Sequence, residues 1–316
     1  MTTRLNEIAT FMRKRHDIYL KRAAGLPGPW TDDPILLTGR FCNIFRELDT
    51  VTIWIDQNIR KPFDDHEYLW FMLCIARYIN WPPTLQSMIL SGHWPNQPGF
   101  DPSWITEALE NRAALGEKVY TGAYMIRAES DQNAPWYSWS KHKYIAEIVL
   151  GRLWEDRHEW TAMLEDQVDG GMTLEDCWAL FQNKRYIGWG PFMAYEVVTD
   201  LRHTRYLERA PDIYTWANAG PGAIRGLNLL YGRDWGAKPK ATLTNQEMKT
   251  LMEELNAYGE REFCRVFGGW ETLTGKPRFE MRDIEHTLCE FDKYERVRLG
   301  EGKMRAKYDW RKATTL

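Results

Sequence analysis

The chain has little that would mark a secreted, membrane-spanning or metal-clustered protein. Its five cysteines, Cys42, Cys74, Cys177, Cys264 and Cys289, are scattered, with no CxxC pair and no Cys/His cluster at ligand spacing. A zinc site is therefore not expected. An odd cysteine count behind a polar, charged stretch from Met1 to Lys21 points to reduced, buried thiols in a cytoplasmic protein, not a disulfide framework. No apolar run approaches the length of a membrane span. An excess of one charge sign is missing too: 41 Lys and Arg against 44 Asp and Glu leave a net charge of −3. No global basic field advertises nucleic acid, so any DNA contact must come from local patches. Period-two strand patterns are scarce, Lys118 to Ile126 being the one doubtful stretch, and no internal repeat appears. A P-loop is absent as well. Gly269 to Lys276 has the wrong spacing and runs into Pro277, and Gly300-Glu301-Gly302-Lys303 lacks the first glycine, so this chain is not itself a P-loop kinase.

What is present is apolar, aromatic and helical. Hydrophobic residues make up 44% and aromatics 14% of 316 residues, enough for a sizeable core in one large domain or two. Sixteen tryptophans exceed ordinary usage, and the surplus suits core packing and base stacking alike. Apolar residues recur at helical steps in Phe41, Ile44, Phe45, Leu48, Val51, Thr52 and Ile55. The same period runs through Tyr68 to Tyr78, Tyr144 to Trp154, Leu174 to Phe181 and Met248 to Phe267, and a charged helix follows from Met281 to Arg298. Thr84 and Thr173 stand where helix N-caps belong, the latter with Asp176 three residues on. The expected fold class is all-α, in one compact domain. Residues 1–30 read as an N-terminal helix and linker, 31–300 as a helical domain of one or two lobes, and 301–316 as a loosely attached basic tail.

Four constellations carry candidate chemistry. On a helix, Arg40, Asn43, Arg46 and Asp49 would form one row at steps of three, and the rigid fork of arginine suits phosphate and carboxylate. A solvated face with intrahelical pairs would read the same way. In Tyr186 to Ala194, Gly188 and Gly190 would let backbone amides at the start of a helix approach a DNA phosphate. Lys184 and Arg185 precede that turn, and a second basic patch, Lys141 and Lys143, follows Trp136, Tyr137 and Trp139. An ordinary glycine turn and a core aromatic cluster remain the plainer alternatives. The third constellation is Asp212, Asn218, Gly220-Pro221-Gly222 and Arg225-Gly226, an acid and an anion cradle in one loop. Such a loop would activate a nucleophile and expel a phosphorylated group, although a Gly/Pro turn between helices has the same residues. The fourth is Asp283, Glu285, His286, Glu290 and Lys293, an acid/base or ligand face that is not HExxH, with a purely structural histidine as its alternative.

The order of hairpin, helix, Pro and Asp212 resembles the helix-hairpin-helix DNA glycosylases, in which the acid faces a flipped-out base. Members with lyase activity carry a lysine just after the second glycine of the turn. Here Pro191 and Phe192 stand there, so Schiff-base chemistry is not expected at that position. Across roughly residues 30–300, the pieces Gly39 to Thr52, Gly122-Ala123-Tyr124-Met125, Gly188 to Ala194, Asp212 to Leu227 and Asp283 to Lys293 resemble a bacteriophage family. This is the thymine-hypermodification family, the alpha-glutamyl/putrescinyl-thymine pyrophosphorylases or amino acid:DNA transferases. Its helical domain is similar to one in 5-hydroxymethyluridine DNA kinases.

The resemblance implies a transferase that displaces pyrophosphate from pyrophosphorylated 5-hydroxymethyluracil in DNA with an amino acid or polyamine. It implies Asp212 as the base that takes the proton of the amine, with Asp49 and Glu285 as backups. Arg40, Asn43, Arg46, Asn218, Arg225, His286 and Lys293 would hold substrate and pyrophosphate. Lys141, Lys143, Lys184, Arg185, Gly188 and Gly190 would hold DNA. The implied partners are modified DNA, a small amine and a 5-hydroxymethyluridine DNA kinase, with no membrane partner, in the host cytoplasm if the chain is phage-encoded. No metal ligands are assigned, and Mg²⁺ bridging pyrophosphate and a carboxylate is the one cofactor considered. A monofunctional glycosylase and a non-catalytic DNA-binding partner of the kinase stay open as alternatives.

Overall fold

The computed structural model of the chain describes residues 4–166, 171–266, 278–304 and 306–312. The chain is all-α: among the described residues no strand forms, and one isolated bridge joins Gly39 to Lys307. Two compact units divide it. The first combines residues 1–52 with 212–316, and the second is the continuous stretch 53–211.

The first unit holds α1 (Leu5–Ala23), α2 (Pro34–Thr38) and the start of α3 (Thr50–Ile55), where the chain passes into the second unit. The second unit continues with α4 (Leu69–Ile79), α5 (Pro82–Leu90), α6 (Ser103–Ala114), α7 (Lys141–Lys143), α8 (Gly151–Glu155), α9 (Arg157–Glu165), α10 (Leu174–Phe181) and α11 (Pro191–Leu201). The chain then returns to the first unit as α12 (Pro221–Leu230), α13 (Ala241–Val266) and α14 (Met281–Arg298).

In the second unit, α4 is apolar all round and buried at every position, as expected of a helix enclosed on all sides. Trp70, Trp160, Phe181 and Trp189 form a chain of ring contacts with centroids 4.7–5.3 Å apart. Their indole N–H groups are satisfied inside: Trp70 donates to Thr161, Trp160 to the Tyr186 hydroxyl and Trp189 to the Val149 carbonyl, at 2.9–3.0 Å. Arg77 on α4 forks onto Asp200 on α11, and both side chains are buried.

In the first unit, α12 lies against α14 through Gly222 and Gly226, four residues apart on one face. A Cβ at Gly222 would stand 2.5 Å from Cys289 Sγ, and one at Gly226 would stand 2.5 Å from the Leu288 carbonyl oxygen. Glycine is required there by close helix approach. Phe45 stacks on Phe279 at 5.6 Å, while Phe11 meets Phe291 and Tyr294. α14 opens with a reciprocal capping box between Glu280 and Asp283.

Several local expectations change. Residues 40–45 are not helical, and only Arg46–Leu48 forms a single 3-10 turn, so the Arg40–Asn43–Arg46–Asp49 row is not a helix face. Local side-chain bonds replace the helix: the Asn43 N–H donates to Asp49 Oδ1 at 2.9 Å and Asn43 Nδ2 donates to the Leu48 carbonyl at 2.7 Å. Thr84 lies inside α5, buried, with its hydroxyl donating to the Val119 carbonyl, so it is no N-cap. Thr173 does cap α10, accepting from the Asp176 N–H at 2.8 Å. The segment near the C-terminal end is tied down: Arg40 N–H donates to the Ala306 carbonyl and Tyr308 N–H to the Thr38 carbonyl. Of the cysteines, Cys74 and Cys177 are buried, Cys42 is half-buried and Cys289 is exposed, all as free thiols. The side chain of Cys264, and the residues from 269 to 276, lie outside the described residues.

Candidate active site

In the first unit, the loop between α2 and α3 folds against α14 and makes a recess of opposed charges. Asp49 accepts the Asn43 N–H on one oxygen, and its other oxygen lies 3.9 Å from His286 Nε2. Glu290, one helical turn beyond His286, accepts the Cys42 N–H at 2.9 Å and holds Lys293 at 2.7 Å. Lys293 also stands 4.8 Å over the Phe41 ring. From α1, Arg15 reaches in and donates to the Phe41 carbonyl at 3.1 Å.

The electrostatics follow from crowding. Burial raises the Asp49 carboxyl above its ordinary pKa, against the lowering pull of the Asn43 N–H, Arg46 and Arg15. Burial lowers the Arg15 guanidinium, with Asp49 opposing. Burial, Glu290 and Asp49 hold the Cys42 thiol well above its ordinary value, so it stands as a thiol here. Cys42, Asp49 and His286 each present one potential ligand atom within 4.8 Å of the others, a grouping that no spacing in the sequence announced.

The Asp212 loop belongs to the same unit. Asp212 is buried, and its carbonyl accepts the N–H groups of Thr215 and Trp216 at 2.9 Å. Asn218 is half-buried. The N-terminus of α12, offered above as an anion cradle, receives a carboxylate from the chain itself, because Gly220 N–H donates to Glu285 Oε1 at 3.3 Å. Arg225 forks onto Asp292 at 2.8 and 3.0 Å, and Arg296 shares that carboxylate. Arg40 is exposed.

Two of the recess residues escaped the sequence reading. Cys42 carries no signal beyond its place beside Asn43. Arg15 did leave one, a cation among Phe11, Met12 and Ile18 on the apolar side of α1.

The second unit contains the glycine turn between α10 and α11. Gly188 has φ +87°, and a Cβ there would lie 2.9 Å from Val149 Cγ2, so conformation and space both demand glycine. Gly190 precedes Pro191 at the start of α11 with open space beside it, and Phe192 is 54% exposed. Lys184 is exposed, whereas Arg185 is already paired with Glu155 and Asp156. Lys143 stands 4.3 Å over Trp139, whereas Lys141 stands 4.5 Å over Tyr120, outside the aromatic run that precedes the patch. Burial lowers the Lys141 pKa. Tyr124 donates to the buried Glu196 of α11 and meets Phe192 edge-on at 5.2 Å.

The chain is all-helical among the described residues, and Asp49, His286, Glu290 and Lys293 lie together in its first unit. Residues 2–304 match the family described as 5-hmdU DNA kinase, helical domain. The chain belongs to that family. A relative, the 5-hmdU DNA kinase of Bacillus phage SP10, is 26% identical over 318 residues, which cover 95% of this chain and 45% of that protein. The chain thus spans less than half the length of this relative. No solved structure matches. Among the described residues, no helix is long and apolar enough to cross a membrane.

Proposed function

We propose that this chain acts on DNA carrying pyrophosphorylated 5-hydroxymethyluracil and replaces the pyrophosphate with an amine. The observation that carries this reading is the recess itself. Asn43, Asp49, His286 and Lys293 come from two separate sequence constellations and converge in one place, with Arg15 and Arg46 acting on the same carboxylate. Membership in a family named for 5-hmdU DNA directs that chemistry to the hydroxymethyl group of a base.

The reaction needs three things. The target carbon must leave the base stack or be met in an open strand. Cations must surround the departing pyrophosphate, the role given to Arg46, Arg40 and Lys293. The amine must lose a proton. Its nitrogen lone pair forms the new C–N bond, the C–O bond breaks toward pyrophosphate, and Asp212 accepts the proton. Asp49 and Glu285 are the alternative bases for this step. The glycine turn, with Lys184, Lys141 and Lys143, would hold the DNA backbone.

A second reading makes the chain a DNA-binding partner of a kinase. It is favoured by the absence of a P-loop motif from a chain whose family is named for a kinase. Pyrophosphorylated hydroxymethyluracil DNA incubated with the protein and a panel of amines separates the readings. A nucleoside that carries the amine in place of pyrophosphate supports transfer, abasic sites indicate a glycosylase, and unchanged DNA that is nevertheless bound indicates the partner.

A further inference from the structure

The donor set in the recess is a ligand set for a transition metal. We propose that Cys42, Asp49 and His286 form a binding site for one zinc-type divalent cation, with a fourth position left for water or substrate. This goes beyond the transferase reading and does not depend on it. One sulfur, one nitrogen and one oxygen donor suit a borderline ion and not Mg²⁺ or Ca²⁺, which take oxygen ligands. The three donor atoms lie within 4.8 Å of one another, and Asp49 and His286 stand 3.9 Å apart. Ligands bonded to zinc at about 2.0–2.3 Å in a tetrahedron are roughly 3.3–3.7 Å apart. Closing the set therefore takes donor shifts of about 1 Å.

The surroundings are arranged as metal sites arrange them. The Asn43 N–H fixes one oxygen of Asp49, and the other is the one nearest His286. Glu290 fixes the backbone of Cys42. Both are outer contacts that orient a ligand. One thiolate and one carboxylate neutralise a divalent ion, so with the Cys42 proton released the occupied site is neutral where the empty one carries the Asp49 charge. Lys293 is held by Glu290. Binding displaces the Cys42 thiol proton to solvent.

Cobalt(II), added to the metal-stripped full-length chain, is the probe, because a thiolate ligand gives it an intense near-ultraviolet charge-transfer band. The wild-type chain is expected to show that band at one cobalt per chain and to lose it to added zinc. Cys289→Ser should keep the band and Cys42→Ser should abolish it. Asp49→Asn retains the acceptor for the Asn43 N–H, and with His286→Gln it should lower zinc affinity by roughly 100-fold. Circular dichroism verifies that each variant is folded. No band in the wild-type chain, or a band that survives in Cys42→Ser, overturns the site.

Discussion

The two units bury charge for different ends. In the second, the interior is a stack of tryptophans and phenylalanines, and the buried ion pair of Arg77 with Asp200 joins α4 to α11. Both partners are nearly sealed from water, at 2% and 3% exposure, and Arg77 also donates to Asn80 Oδ1 at 3.4 Å. The first also seals carboxylates, Asp292 at 1% exposure among them, but one cluster stands where water still reaches: Asp49 is 24% exposed, His286 13% and Lys293 31%. A sealed pair holds a fold together. The Asp49–His286 pair keeps part of its surface in water, as the proposed function requires of it. The proposed function assigns its chemistry to the first unit and its DNA contact to the surface of the second.

The contrast can be broken at its strongest point first. Arg77→Leu leaves Asp200 buried without its partner and is expected to cost about 3–5 kcal/mol of stability. Denaturant unfolding measures it, and Arg77→Leu combined with Asp200→Leu should recover much of the loss. Arg46→Ala in the recess should do the reverse, leaving the unfolding midpoint nearly unchanged while lowering product formation by roughly 100-fold. Equal losses of stability from the two arginines would erase the distinction.

A third expectation concerns acid. His16, buried in the first unit against Tyr19 and Phe45, has its pKa lowered from 6.5 to about 3, by burial first and Arg15 second. Folded His16 stays neutral while the unfolded chain takes up a proton below pH 6.5. Its contribution is therefore intact above pH 6.5 and is lost as pH falls toward 3, at up to about 1.4 kcal/mol per pH unit. Thermal unfolding from pH 7 to 4 should show this slope, and His16→Leu should flatten it. The smallest effect belongs to the surface of the second unit. Lys184→Ala should weaken DNA binding only a few-fold and reduce the salt slope by about one.

Much of this was legible in the sequence. The limits of α10 and α14 follow directly from apolar period and capping, and α4 to within a residue, because those helices obey local rules. Gly39 to Thr52 was not, although its apolar spacing is helical. Asn43 and Asp49 satisfy backbone groups with side chains and so outcompete the helix there. The candidate residues were readable as two separate motifs, but their meeting is tertiary, and no spacing rule connects Asp49 to His286 across the chain. Gly222 and Gly226 illustrate the converse. Read as part of an anion loop, they also serve to bring α12 onto α14.

The central claim is that the chain rebuilds the 5-substituent of a thymine-type base. Mass spectrometry of nucleosides from pyrophosphorylated hydroxymethyluracil DNA, treated with the protein and a panel of amines, tests it most directly. The account predicts a nucleoside that carries the amine in place of pyrophosphate, formed by the wild-type protein and not by Asp212→Asn, which should still bind DNA. Pyrophosphorylated nucleoside recovered unchanged with every amine, from protein that binds the DNA, would contradict it.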